Sequence, residues 1–347
     1  MLKEKQLYEQ YKLMLDKELN SFLEEEFKSS EASSDSIKIL MKHMKNFCLN
    51  GGKRLRGILF LLGYKAFKND VGKEILRLAI SVELLHSSLL IHDDVMDDSN
   101  LRRGNKSFHK IYEESVNPIY KNAKKYGENI AITAGDILLA LSYNCIANHL
   151  KKVAHIYTKV IINTAYGQAL DLESSFKNLS EQDVLNIHLL KSAKYTIEGP
   201  LHVGAVIADA SEKDLKKLSD YAIPLGIAFQ LKDDILGLFG DEKTIGKPIT
   251  SDLSEGKKTL LMIKALEKAS KEDRKFLLST LGNRNITLKD VEKVRKIVKN
   301  TGSLEHSKNL MSKLIEESKS SLNNFKINEE PKKALLYLAD YVAKRDL

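Results

Sequence analysis

ILRLAISVELLHSSLLIHDDV, residues 75–95, is apolar on nearly every face and closes on two adjacent aspartates, Asp93 and Asp94. A helix with this pattern belongs in the centre of a bundle, where it has no polar side to show to water. A second stretch, YAIPLGIAFQLKDDILGLF at 221–239, repeats the arrangement and carries Asp233 and Asp234. In both, the carboxylates stand toward the negative end of the helix dipole, the unfavourable end for an acid. Clustered like charges cost free energy unless something positive lies among them. The same local rule is broken twice, on two helices destined for the interior, which points to function.

Outward from these stretches the helical period continues. Leu7, Tyr8, Tyr11, Met14, Leu15, Leu19, Phe22 and Leu23 draw one face of an N-terminal helix; Leu335, Leu336, Leu338, Ala339 and Val342 do the same near the C-terminus. The five prolines, at 118, 200, 224, 248 and 331, leave long stretches free for helices. Loops are expected at 28–36, 68–73, 118–129, 240–258 and 280–285. Strand alternation and long linkers are missing. The pattern predicts an all-α helical bundle, one domain over residues 1–347.

Composition narrows the function classes. The chain is 43% hydrophobic and 29% charged, ordinary for a globular protein. Its net charge of +8 comes from scattered lysines without an aromatic-interleaved basic stripe, so no nucleic-acid partner is expected. The opening residues, MLKEKQLYEQYKLMLDKEL, are too acidic and polar for a targeting peptide. No unbroken apolar run reaches about 18 residues, so no transmembrane segment is expected. Cys48 and Cys145 lack the spacing of a metal knuckle, and a reducing cytoplasmic setting follows.

The acids have a chemistry of their own. At a spacing of four, Asp93 and Asp97 share one helix face, and Asp94 and Asp98 would form a second pair rotated from it. Gln230 stands one turn before Asp233 and Asp234. Oxygen-only donors on bundle helices suit Mg²⁺, more than one ion, or Mn²⁺, rather than Zn²⁺. For one such cluster a solvated helix end is the commoner explanation; two are harder to dismiss. Cations accompany them: Lys53, Arg54 and Arg56 in NGGKRLRG, Arg102 and Arg103 after the first acids, and Lys191, Lys247, Lys257 and Lys258 further on. Arginine forks and lysine charges fit phosphate oxygens. The glycine-rich stretch is not a Walker loop, whose spacing is absent.

In the order GGKRLRG, LLHSSLLIHDDVMDDSNLRRG, GQALDLE, KSAKYT and FQLKDDILGLFGDEKTIGKP, spanning about residues 45–260, the chain resembles the trans-isoprenyl diphosphate synthases of the polyprenyl synthetase family. The resemblance implies a prenyltransferase that joins isopentenyl diphosphate head-to-tail to an allylic diphosphate and releases pyrophosphate. It implies that Asp93, Asp97 and Asp233 hold Mg²⁺ on the allylic diphosphate, with Asp94 and Asp98 in support. Arg102, Lys191, Ser192, Gln230, Lys247 and Lys257 would surround the same diphosphate; Lys53, Arg56, His86 and Arg103 would take isopentenyl diphosphate. Gln168 and Asp171 would line the cleft, and the family is usually homodimeric. Two positions depart from the pattern. Ser192 replaces a more usual threonine, and Gly237 stands where the second motif has its last aspartate, with Asp241 two turns along.

Product length is read from the residues before Asp93. A bulky aromatic five positions earlier shortens the product in this family; here Ser88 stands there, beside Leu89 and above Leu84 and Leu85. That favours geranylgeranyl diphosphate, with farnesyl or a longer product as the alternative. Other classes remain: an HD-type metal phosphohydrolase built on His92-Asp93, a terpene cyclase, or a non-catalytic partner subunit. His92 itself reads as a packing residue.

Overall fold

The computed structural model describes residues 2–29, 34–116, 120–240 and 249–344. Their backbone is all-α apart from one two-residue ladder. They divide into two compact units, Met1–Ala154 with Val203–Asp209, and His155–His202 with Ala210–Leu347.

In the first unit α1 (Leu2–Ser29), α2 (Asp35–Leu49) and α3 (Leu55–Lys65) precede the apolar helix α4 (Lys73–Met96). Leu78, Ala79, Ile80, Val82, Leu84, Leu85 and Ile91 bury α4 on several sides, as its pattern predicts. Tyr11, Leu15, Leu19, Phe22 and Leu23 form the buried stripe of α1. After α4 comes a ladder, β1 (Leu101–Arg102) paired antiparallel with β2 (Asn105–Lys106). Arg103 at φ 53° and Gly104 at φ 76° close it, positive φ at both central positions being the mark of a tight hairpin turn. Helices α5 (Phe108–Ser115) and α6 (Ala123–Ile146) follow.

The expected loop at 118–129 is helical from Ala123 onward. Gly127, which suggested a loop, instead permits close packing: a Cβ there would press on the backbone of α5 at His109 and Glu113. The membrane expectation meets two candidates among the described residues. Lys73–Met96 and Ala123–Ser174 are long and apolar enough, by length and composition, to cross a membrane. Dispersed polar residues interrupt the apolar runs without lowering their average much. The window in Lys73–Met96 is 61% buried, as for a core helix. Cys48 and Cys145 are both buried free thiols.

The second unit takes up α7 (Leu150–Ser174) from His155, then α8 (Glu181–Ile187) and a π-helix, His188–Glu198. α9 (Gly199–Ile207), which from Val203 belongs to the first unit, precedes α10 (Glu212–Phe239), the second apolar helix, which opens with a reciprocal Ser211–Asp214 cap. Tyr221, Ala222, Leu225, Ala228, Leu231 and Ile235 are buried on α10. The remaining helices are α11 (Ser251–Ser254), α12 (Leu260–Lys268), α13 (Lys271–Thr280), α14 (Leu288–Asn300), α15 (Ser303–Ser321) and α16 (Glu329–Lys344). The Tyr221 hydroxyl donates to the Leu335 carbonyl at 2.8 Å, tying α10 to the predicted C-terminal stripe.

Candidate active site

The aspartates at the end of α4 divide into different roles. Asp97 caps the helix with its N–H on the Asp93 carbonyl at 2.8 Å, so the one-turn spacing of Asp93 and Asp97 survives to the helix end. Both side chains are half-buried. Asp94 is fully buried, and Arg102 donates to its Oδ1 from Nε at 2.8 Å and also from Nη2. Burial pushes the Asp94 carboxyl up to about 6 against the pull of Arg102. Asp98 does not continue the expected helical pair. It lies past the helix end at φ 51°, and Lys124 and Lys110 approach its carboxylate at 2.9 and 3.6 Å. The helix stops because the chain must turn into the hairpin.

Positive charge gathers in the same unit. Burial, then Arg56, Arg103, Arg102 and Arg54, hold the His86 imidazole well below its ordinary pKa, so it is neutral near pH 7. Arg103 is likewise lowered by burial and by Arg54, Arg102 and Arg56. Such crowding of cations calls for an anion to offset it. Arg103 rests on the glycine pair: its Nη1 donates to the Asn50 carbonyl at 3.0 Å. A Cβ on Gly52 would stand 3.2 Å from that guanidinium. Gly51 and Gly52 have φ of 70° and 96°, which glycine adopts readily. Arg54, in contrast, is buried and committed to Asp16 at 2.6 Å and Glu83 at 3.6 Å, a packing ion pair rather than a ligand group.

Ser88 is fully buried, its hydroxyl without a hydrogen bond among the described residues; Leu84 and Leu85 are buried beside it and Leu89 is half-buried. His92 Nε2 lies 3.2 Å from the Ile132 carbonyl and 3.5 Å from Asp136 on α6, a packing arrangement.

In the second unit two glycines bring helices together around Lys191 and Ser192. A Cβ on Gly167 of α7 would meet Lys191 Cα at 2.7 Å, and one on Gly226 of α10 would meet Ala193 Cβ at 2.6 Å. The π-helix is thus packed closely against both α7 and α10. Lys191 donates to Asp171 at 2.5 Å. Ser192 donates to Gln230 Oε1, and Gln230 Nε2 donates to Asp234 Oδ1 at 2.9 Å. A cavity is lined by Asp171, Lys191, Ser192, Gln230, Asp234 and Lys257, and also by His188, which the sequence did not single out. Lys257 pairs with Glu255 at 2.7 Å, and Lys258 donates to the Lys177 carbonyl. Lys247 and Asp241 lie outside the described residues. Gly237 is covered by the Asp252 carboxylate, whose Cγ lies 3.2 Å from where a Cβ would be. Only a position without a side chain leaves room for Asp252.

The donor set can be tested against a divalent ion. Among the described residues no three His, Cys, Asp or Glu side chains converge on one point. Asp93 and Asp97 offer oxygen alone from one turn of helix. That fits Mg²⁺, which takes one or two carboxylates and completes its shell with water and phosphate oxygens, and it excludes a closed zinc cage.

Comparison with known proteins agrees with this chemistry. Residues 37–300 match the family model described as polyprenyl synthetase. A short chain isoprenyl diphosphate synthase of Methanocaldococcus jannaschii is 34% identical, covering 98% of this chain and 99% of the relative. A geranylgeranyl diphosphate synthase of Sulfolobus acidocaldarius is 36% identical over 85% of this chain and 88% of its own. Among solved structures, a geranylgeranyl pyrophosphate synthase from Corynebacterium glutamicum, complexed with isoprenyl diphosphate and magnesium, has a TM-score of 0.91. It is 29% identical, with 97% of this chain and 99% of that one covered.

Proposed function

The chain belongs to the polyprenyl synthetase family, and from that premise we propose that it condenses isopentenyl diphosphate with an allylic diphosphate to make geranylgeranyl diphosphate. It is a short-chain trans-prenyltransferase. The observation that carries the site reading is the hairpin turn. Arg102 holds the acid end of α4 through Asp94, and the next residue, Arg103, joins the cationic floor at Gly52. Adjacent residues therefore link a metal-binding patch to a diphosphate-binding patch.

Asp93 and Asp97 in the first unit, and Asp233 in the second, are the residues that would hold Mg²⁺, with Mn²⁺ as a substitute. When bound, the ion offsets the charge that develops on a departing diphosphate. Arg102 in the first unit, and Lys191 and Lys257 in the second, would add fixed positive charge where negative charge grows on a diphosphate, and Gln230 would donate to it. Lys53, Arg56 and Arg103 pin isopentenyl diphosphate, and His86, neutral among arginines, can donate one hydrogen bond to it without adding charge. The C1–O bond of the allylic substrate breaks with its electrons leaving on pyrophosphate. The isopentenyl double bond attacks C1, and a proton is lost to the released pyrophosphate. No side-chain base is required.

The small side chain of Ser88, at a fully buried position five before Asp93, supports a chain longer than farnesyl. Exposed Ile132 and Ile137 on α6 support a homodimer. Two buried free thiols fit a reducing cytoplasm. The test is product analysis by mass spectrometry with farnesyl and isopentenyl diphosphates and Mg²⁺, against each substrate alone. A C20 diphosphate formed only from the pair is expected. Turnover of either substrate alone would replace this reading with a cyclase or a phosphohydrolase.

A further inference from the structure

Two adjacent aspartates on α10 pose a question of division of labour, and a buried histidine answers it for one of them. His188 is the first residue of the π-helix, and its side chain is 7% exposed. Its Nε2 lies 3.2 Å from Asp234 Oδ2, and the Asp234 side chain is 10% exposed. That oxygen makes no hydrogen bond among the described residues, and the imidazole is a close polar neighbour of it. The other carboxylate oxygen, Oδ1, accepts from Gln230 Nε2 at 2.9 Å. Gln230 Oε1 in turn accepts from the Ser192 hydroxyl. In an i→i+5 winding, residues four or five apart stack on one face, so His188 and Ser192 meet α10 together.

The chemistry of this chain fixes one orientation. The Gln230 amide turns its NH₂ toward the Asp234 carboxylate and its carbonyl toward the Ser192 hydroxyl. One N–H of that amide is then left for a ligand, in a cavity that also presents Lys191 and Lys257. Flipped, the same amide would show its carbonyl lone pairs to an anion and repel it. Whatever holds the Asp234 carboxylate aimed at Gln230 therefore sets the polarity of Gln230. We propose that His188 is a positioning residue: through Asp234 it locks the Gln230 amide in the orientation that donates to the allylic diphosphate. Asp234 is thereby engaged within the protein, and Asp233 is left as the ligand-facing acid of the pair. This rests on the prenyltransferase reading above.

The test is steady-state kinetics on His188→Ala, His188→Met and His188→Gln. Methionine keeps volume without a donor; glutamine places an N–H near the lost Nε2. Wild-type condensation is confirmed first, so that failure there counts against the function and not against His188. The expected result for Ala and Met is a fall of about tenfold or more in kcat with farnesyl diphosphate, since 1.4 kcal/mol is a factor of ten. Gln should recover most of it, and the KM for isopentenyl diphosphate should hardly move. In an Asp234→Asn background, His188→Ala should add nothing further. Should Ala fail to fold, the Met-to-Gln ratio carries the same comparison. A folded Met variant with wild-type kcat, a Gln variant no better than Met, or an additive effect with Asp234→Asn overturns the proposal.

Discussion

Replacing Gly52 by alanine tests how the glycine pair seats Arg103. Position 52 has φ 96°, in the left-handed half of the map, where a Cβ costs about 1–2 kcal/mol against the following carbonyl. The new methyl would also stand 3.2–3.3 Å from three atoms of the Arg103 guanidinium, so that group must shift by a few tenths of an ångström. Stability should fall by about 1–2 kcal/mol, a drop in Tm of a few degrees for a chain of this size. The larger effect is functional. A hydrogen bond to a charged group contributes about 1.5–3 kcal/mol, so removing Arg103 altogether should raise the KM for isopentenyl diphosphate about 10- to 100-fold. Misplacing it through Gly52→Ala should give roughly a tenfold rise, with kcat and the KM for the allylic substrate little changed. The assay is initial-rate kinetics with each substrate varied in turn, at a temperature well below Tm. If Arg103→Ala raises that KM and folded Gly52→Ala leaves it untouched, the glycine floor does not position the arginine.

Asp209 sits at φ 65° between Lys152 at 2.5 Å and Lys68 at 2.6 Å, and those hydrogen bonds hold its carboxyl down at about 2. Its folded pKa is depressed, so its contribution is present above the ordinary carboxylate value and lost as pH falls toward 2. Asp209→Asn, which tolerates that backbone, should lower Tm slightly at pH 7 and not at pH 2, by calorimetry. Gly237→Asp restores the family's usual residue but must expel the Asp252 carboxylate. It should therefore lower both Tm and kcat, and a gain in activity would show that Gly237 is simply a lost ligand. Ser88→Phe adds a ring at a fully buried site and should shorten the product toward C15 by chromatography of labelled products; an unchanged C20 product would remove Ser88 from the chain-length wall.

Much of this was legible in the sequence because burial leaves a periodic trace. The two apolar stretches with paired acids became α4 and α10, and Asp93, Asp97, Asp233 and Asp234 fall where a period of 3.6 places them. The fates of neighbouring acids were not legible. Nothing in DDVMDDSN says that Asp94 will be buried under Arg102 while Asp98 leaves the helix for Lys124, since both depend on a tight turn three residues later. Arg54 read as one more loop cation, yet its partners Asp16 and Glu83 lie on α1 and α4, 38 and 29 positions away in the chain. His188 carried no local signal at all; its meaning comes from Asp234, brought near only because Gly226 lets two helices touch. Gly127 misled for the same reason, since glycine marks a turn and a close helix contact alike.

Magnesium uptake is the most direct measure of whether the acid end of α4 exists to hold a diphosphate. Calorimetric titration of the wild-type chain with Mg²⁺ should show tight uptake in the presence of inorganic pyrophosphate and weak uptake without it. Asp93→Ala and Asp97→Ala, each still folded, should abolish the pyrophosphate-dependent component. Uptake that ignores pyrophosphate, or that survives both substitutions, would contradict the site described for α4.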